Sequence, residues 1–325
     1  MKILILGGTS FVGRLAAEAA VAQGHDVTLF NRGNHSAPKG VTSIIGDRLT
    51  PGGYAALGKM SFDAVIDTWS SDAVAVKTAV DALRGRIGQY VYVSSVSVYN
   101  TEGADLPFSE STPLFDPEKA PIKYIKDKVG GEIHADESGV PTLLARPTVI
   151  LGPHENVGRL PWWLRRVEKG GKTLAPGPPD LGLQFIDGRD LADFLLLAIE
   201  KQLSGAVNLG SKPAHTSFGN VLNTANEVTG GRADLYWLQP EKVLEAGLKP
   251  WTELPLWIPS DEMSIYSFDV DKALKLGLRI RSAEQTISDT WDWLMSDDEP
   301  PENLGKGIGL DPDKETSILK RYFHA

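Results

Sequence analysis

Met1-Lys2-Ile3-Leu4-Ile5-Leu6-Gly7-Gly8-Thr9-Ser10-Phe11-Val12-Gly13 is the stretch whose reading decides the fold. Lys2–Leu6 is a short apolar run ending at a glycine turn, the pattern of a strand buried on both faces. Val12–Gln23 is alanine-rich and predicts a helix closed by Gly24. A glycine turn between a buried strand and a helix is the context of a dinucleotide-phosphate loop. Gly7 permits the turn, and Gly13 lets the helix sit close to the strand. The N–H groups of Gly7, Thr9, Ser10, Phe11, Val12 and Gly13 then surround the start of the helix, where an anion is favoured. The spacing is Gly-x-x-Ser-x-x-Gly, with Ser10 in place of the usual middle glycine.

The same alternation continues outward. Strands are expected at Val27–Phe30, Thr42–Ile45, Asp63–Ile66, Tyr90–Ser94 and Thr142–Ala145, with helices near Asp72–Arg84 and Ile122–Glu137. Repeated β-α-β units imply an α/β, doubly wound parallel sheet of Rossmann type. After Pro153 the texture turns rich in Pro, Gly and Trp, which reads as a smaller C-terminal substrate-binding lobe. The expected division is a Rossmann domain over 1–153, rejoined by 184–212 through Gln184-Phe185-Ile186 and a helix from Arg189 to Glu200. The lobe takes 154–183 and 213–300, and 301–325 forms a tail.

The chain has 325 residues, 42% apolar, with 33 basic and 42 acidic side chains and a formal charge of -9. Such a field does not attract nucleic acid or an anionic membrane, so neither is expected as a partner. There is no cysteine, which excludes disulfides, thiolate metal sites and cysteine nucleophiles. The six histidines lack metal-ligand spacing, and no metal is expected. No apolar stretch reaches membrane length, and the first residues do not read as a signal peptide; a cytoplasmic protein is expected.

The second strand ends in Asn31-Arg32-Gly33. A carboxylate there would repel a 2′-phosphate, whereas Arg32 can pair with one and Arg14 can add a second charge. NADP(H) is therefore favoured over NAD(H), although Arg32 also reads as a solvated turn residue. Asp47, after the third strand, is a candidate for the adenine side and equally a turn-stabilising residue.

Tyr124 and Lys128 stand four apart on a predicted helix and share a face. An ammonium beside a phenol favours its ionised form, which suits proton exchange with a substrate oxygen. The same ammonium can reach a nicotinamide ribose. Ser95 follows the fifth strand, at the carboxyl edge where open α/β sheets bind ligands. Taken alone, Ser94-Ser95-Val96-Ser97 also reads as an ordinary loop.

With these residues in hand, the chain resembles the extended short-chain dehydrogenase/reductases of the NAD-dependent epimerase/dehydratase superfamily. The resemblance rests on the glycine loop, on Tyr90–Tyr99, on Tyr124–Lys128, on Arg146–Pro153 and on Gln184–Ala192. The loop followed by Asn-Arg-Gly is similar to an atypical branch that includes chloroplast stem-loop-binding proteins. The resemblance implies Ser95, Tyr124 and Lys128 as the catalytic trio, hydride transfer between NAD(P)(H) and a small carbonyl or alcohol, and a homodimer. Val96-Ser97 stands where dehydratases carry an acid pair, so dehydration is discarded. Val149 and Leu183 stand where sugar-nucleotide epimerases carry Asn and Arg for a diphosphate, which tilts the reading toward a reductase. A sugar-nucleotide epimerase is the alternative, and an RNA-binding or cofactor-sensing non-enzyme the second.

Overall fold

The structure, a computed structural model, describes residues 1–296 and 304–323. The chain opens with β1 (Lys2–Leu6), α1 (Phe11–Ala22), β2 (Asp26–Asn31), β3 (Thr42–Ile45) and β4 (Ala64–Asp67). It continues through α2 (Val74–Leu83), β5 (Tyr90–Val93), α3 (Lys123–Asp136) and β6 (Thr142–Pro147). Next come β7 (Val149–Leu151), α4 (Arg159–Glu168), β8 (Gly171–Pro176), β9 (Gly182–Leu183), β10 (Phe185–Asp187), α5 (Gly188–Glu200) and β11 (Gly205–Leu209). The last elements are β12 (Thr216–Ser217), α6 (Phe218–Val228), β13 (Ala233–Leu238), α7 (Pro240–Glu245), α8 (Asp271–Leu276), α9 (Ala283–Leu294) and α10 (Pro312–Phe323).

Seven strands form one sheet in the order β11-β6-β5-β4-β1-β2-β3. Every pairing in it is parallel, which establishes the doubly wound Rossmann-type architecture. β4 and β5 are buried throughout and β1 from Ile3 onward, because helices cover both faces. Leu4 and Leu6 share a cluster with Val76, Ala79 and Val80 of α2 and Ala135 of α3. Ile3 and Ile5 alternate to the other face, where α1 packs with α5. β3, the edge strand, is the exposed one. The chain runs outward from β1 to β2 and β3, then crosses to β4 on the other side of β1. That reversal opens a crevice at the carboxyl ends of β1 and β4.

The chain divides into two compact units. The first comprises Met1–Thr148, Gly188–Gly210 and Phe268–Arg279; the second comprises Val149–Asp187, Ser211–Ser267 and Ile280–Ala325. Four features differ from the sequence reading. The first unit ends at Thr148 and again at Gly210, so residues 149–153 and 211–212 of the expected Rossmann domain belong to the second unit, where β7 finds its partner strand. Gln184-Phe185-Ile186 does not rejoin the central sheet, because β10 pairs with β7 inside the second unit. The chain returns only at Gly188, with α5. Residues 268–279 join the first unit, where Lys272 Nζ donates to the Ala206 carbonyl at 2.7 Å. Most of the expected tail is not a tail. α10 buries Ile318 and Leu319 in the second unit's core. Its Glu315 carboxylate accepts from Arg166 Nε and Leu174 N. Residues 301–303, 324 and 325 of that expected tail lie outside the described residues.

Candidate active site

The phosphate loop forms as its glycines require. Gly7 has φ +110 and donates its N–H to the Phe30 carbonyl at 2.9 Å. A Cβ on Gly13 would stand 2.8 Å from Gly8 N, so the helix meets the loop backbone with no room for a side chain. Ser10 is the N-cap of α1 and makes no side-chain cap bond, while Phe11 holds an unusual φ of +34. The first turn of α1 thus presents N–H groups that no cap side chain satisfies, an anion-accepting end.

A cavity of about 630 Å³ runs along this edge of the sheet in the first unit. Gly7, Thr9, Asn31, Arg32 and Asp47 line it, whereas Ser10, Phe11, Val12, Gly13 and Arg14 build the helix end beside it. Asn31 is buried; its amide donates to Ser43 Oγ at 3.0 Å and its Oδ1 accepts from Gly33 N at 2.7 Å. That turn leaves Arg32 exposed at the cavity wall. Arg14 pairs with Glu18 at 2.8 Å. Asp47 Oδ1 accepts from Leu49 N at 2.9 Å, so this carboxylate both shapes its turn and lines the cavity.

Lys128 lies one turn beyond Tyr124 on α3 and is 2% exposed. Its Nζ donates to the Val93 carbonyl at 2.6 Å and to the Trp69 carbonyl at 2.7 Å, and sits 5.0 Å over the Tyr92 ring. Burial pulls its pKa down to about 7, against the raising influence of Asp67 and Glu132; Arg48 adds to the lowering. Tyr124 is 40% exposed, in the first turn of α3. Ser95 follows β5 and caps a short 3-10 turn, accepting from Ser97 N at 3.1 Å and donating to Ser97 Oγ at 3.1 Å. The structure therefore brings Lys128 and Ser95 to the carboxyl end of β5, with Tyr124 on the helix that carries Lys128.

Two buried polar groups in this unit escape sequence reasoning. Arg48 grips Asp67 with two bonds of 2.7 Å, and Tyr90 Oη donates to the same carboxylate at 2.6 Å. Burial raises the Asp67 carboxyl, but Arg48 outweighs it and holds the pKa below its ordinary value. Arg146 likewise grips Glu132 at 2.8 and 2.6 Å and donates to Tyr99 Oη at 2.9 Å. The available signal was an acid ending the apolar run Ala64-Val65-Ile66-Asp67, since an unpaired charge is rarely fully buried. In the second unit, Trp163 and Trp257 are fully buried in the core; Trp162, Trp237 and Trp251 pack against it. Trp163 Nε1 donates to the Pro255 carbonyl and Trp257 Nε1 to that of Gly177. Among the described residues no group of His, Asp and Glu could hold a metal ion, and no helix is long and apolar enough to cross a membrane.

Comparisons with known proteins show the family and the fold. The family model described as NAD dependent epimerase/dehydratase family matches residues 3–210. The chloroplast stem-loop binding protein of 41 kDa b from Arabidopsis thaliana is 30% identical over 211 residues, 60% of this chain and 54% of that protein. The match thus spans about half the length of that relative. The 2-alkyl-3-oxoalkanoate reductase of Stenotrophomonas maltophilia (strain K279a) is 29% identical over 236 residues, 65% of this chain and 68% of the reductase. The Bordetella bronchiseptica enzyme WbmH, solved in complex with NAD+, shares the fold with a TM-score of 0.69 at 17% identity, covering 92% of this chain and 99% of that one. The resemblance read from the glycine loop and the Tyr-Lys helix is thereby established, and this chain belongs to the NAD dependent epimerase/dehydratase family.

Proposed function

We propose that the chain is an NADP(H)-dependent oxidoreductase that interconverts a small carbonyl compound and its alcohol. The observation that carries the proposal is Lys128. A buried amine one turn from Tyr124 is held at the ends of β4 and β5, in the unit whose sheet edge forms the glycine-lined cavity. Burying an amine this deeply is costly, so its retention favours a working role over a structural one.

The residues fit a dinucleotide. The close approach of Gly13 to Gly8, which a Cβ would fill, leaves backbone N–H groups at the start of α1 facing outward for a pyrophosphate. Arg32, beside a neutral Asn31, offers a cation to a 2′-phosphate. When bound, the nicotinamide supplies or takes the hydride. Tyr124 delivers the proton to the carbonyl oxygen, or takes it back in oxidation. The Lys128 ammonium favours the phenolate of Tyr124 and keeps one N–H for a ribose hydroxyl, since two of its three are already given to carbonyls. Ser95 Oγ turns from Ser97 to hydrogen-bond the substrate oxygen.

Apolar Val149 and Leu183 support a substrate without a diphosphate. A similar protein bears the name of a 2-alkyl-3-oxoalkanoate reductase, which supports the same direction. Epimerisation of a sugar would use the same groups and is the alternative. A homodimer through α2 and α3 is proposed from the resemblance, with Val74 and Ile133 exposed on those helices. Oxidation of NADPH against a panel of carbonyl compounds tests the reading. Turnover should vanish in Tyr124→Phe while dinucleotide binding persists; unchanged turnover in that variant refutes the proton-donor role.

A further inference from the structure

Lys128 depends on a carbonyl that the sheet does not hold. Val93 lies within β5, so its carbonyl is placed by the strand. Trp69 lies two residues beyond the end of β4, in a turn. Asp67 holds that turn: its Oδ1 accepts from Trp69 N at 3.0 Å, and Tyr92 Oη donates to the Trp69 carbonyl at 3.2 Å. Asp67 is fully buried and is itself held by Arg48 and Tyr90. Arg48 comes from the segment after β3, where it lines the cavity. Its guanidinium stacks 4.9 Å over the Trp69 ring and donates to the Ala75 carbonyl at the start of α2 at 3.0 Å. One ion pair therefore joins the exits of β3 and β4 and the start of α2.

We propose that Arg48 and Asp67 are positioning residues for Lys128: the pair fixes the turn after β4 so that the Trp69 carbonyl meets the ammonium, tying the cavity wall at Arg48 to the lysine. The inference rests on the reading of Lys128 as the partner of Tyr124.

The pair also acts on Lys128 through charge. Asp67 from β4 and Glu132 from α3 itself favour the ammonium, while Arg48 from the segment after β3 disfavours it. Tyr92 of β5 presents its ring face, and Tyr124 stands one turn back on the same helix. Each acid has its own arginine, Arg146 for Glu132 and Arg48 for Asp67; Asp67 differs in that it accepts from Trp69 N, the residue whose carbonyl meets the ammonium.

The test follows the titration of Lys128 by NMR in the full chain without cofactor, the resonance being assigned with Lys128→Arg. Asp67→Asn keeps an acceptor for Trp69 N and removes the charge, so the midpoint should fall by roughly one pH unit. That variant leaves the Arg48 guanidinium buried and unpaired, which endangers folding. The double variant Arg48→Met, Asp67→Asn carries neither charge of the pair, and its midpoint should fall by about half a unit, since Asp67 raises the Lys128 pKa more than Arg48 lowers it. A folded double variant titrating within about 0.2 unit of the parent overturns the proposal, whatever its melting temperature. The two readings fail separately. Absence of NADPH-dependent turnover in the parent would remove the role of Lys128 yet leave the titration shift standing.

Discussion

Substituting Gly13 by alanine separates dinucleotide binding from folding. Gly13 lies in the first turn of α1, where alanine is the better helix former by about 1 kcal/mol. Its Cβ, however, would stand 2.8 Å from Gly8 N and 3.0 Å from Gly8 Cα. Restoring ordinary van der Waals contact requires the Gly8 backbone to retreat by roughly 0.6 Å. Gly8 has little room: its own φ is +87, and the space on its Cβ side is filled by Leu29. The overpacking costs about 1–3 kcal/mol, part of which the helix gain offsets, so the net loss of stability should stay near 1 kcal/mol. For a domain of this size that lowers Tm by only a few degrees. Binding should suffer far more. If two charge-assisted N–H bonds to the pyrophosphate are misaligned at about 1.5 kcal/mol each, the Kd rises by about 100-fold. Calorimetric titration with NADPH, run beside thermal unfolding, reads both quantities. A Gly13→Ala protein that melts like the parent and binds within about threefold of it would refute the reasoning, because the loop would then not be where the dinucleotide is held.

Four further outcomes are expected. Tyr124→Phe should cut kcat by about 100-fold or more with dinucleotide Kd unchanged, measured by NADPH oxidation and calorimetry. Arg32→Ala should weaken NADPH by about 10- to 100-fold and leave NADH nearly unaffected, so equal losses for both would remove Arg32 from the 2′-phosphate. Arg146→Met leaves Glu132 buried without its cation and should cost about 3–5 kcal/mol in urea unfolding, a loss that Arg146→Met with Glu132→Gln largely recovers. Lys128→Met tests the sign of the buried amine. With the folded pKa near 7 and the ordinary value at 10.5, the unfolded chain holds a proton that the native chain lacks across that window, so the parent gains stability as pH rises from 7 toward 10.5. The variant should therefore be more stable than the parent at pH 6, by a margin that shrinks at pH 9; a margin that widens there contradicts the placement of Lys128.

The central sheet was legible because its strands are buried on both faces. Ile3–Leu6, Ala64–Ile66 and Tyr90–Val93 are unbroken apolar runs, a pattern that parallel strands under two helical layers require. The Tyr124–Lys128 spacing was legible for a similar reason, since four residues on a helix return to one face. The partner of Phe185–Asp187 was not, because a three-residue run carries no register and suits either sheet. α10 was missed although Asp311 accepts from Asp313 N and Lys314 N at 3.0 Å. The Asp-Pro-Asp-Lys-Glu sequence there is a helix-start signal. Overall Pro and acid content suggested a tail instead. The Arg48–Asp67 pair leaves no periodic trace, since 19 residues separate two side chains that only the β3 and β4 exits bring together.

A crystal structure of the chain grown with NADPH tests the account most directly. The account predicts pyrophosphate density at the start of α1 above Gly7 and Gly13, the 2′-phosphate at Arg32, and a ribose hydroxyl within hydrogen-bond distance of Lys128 Nζ. A dinucleotide bound elsewhere, or a ribose out of reach of Lys128 with Tyr124 turned from the nicotinamide, would contradict it.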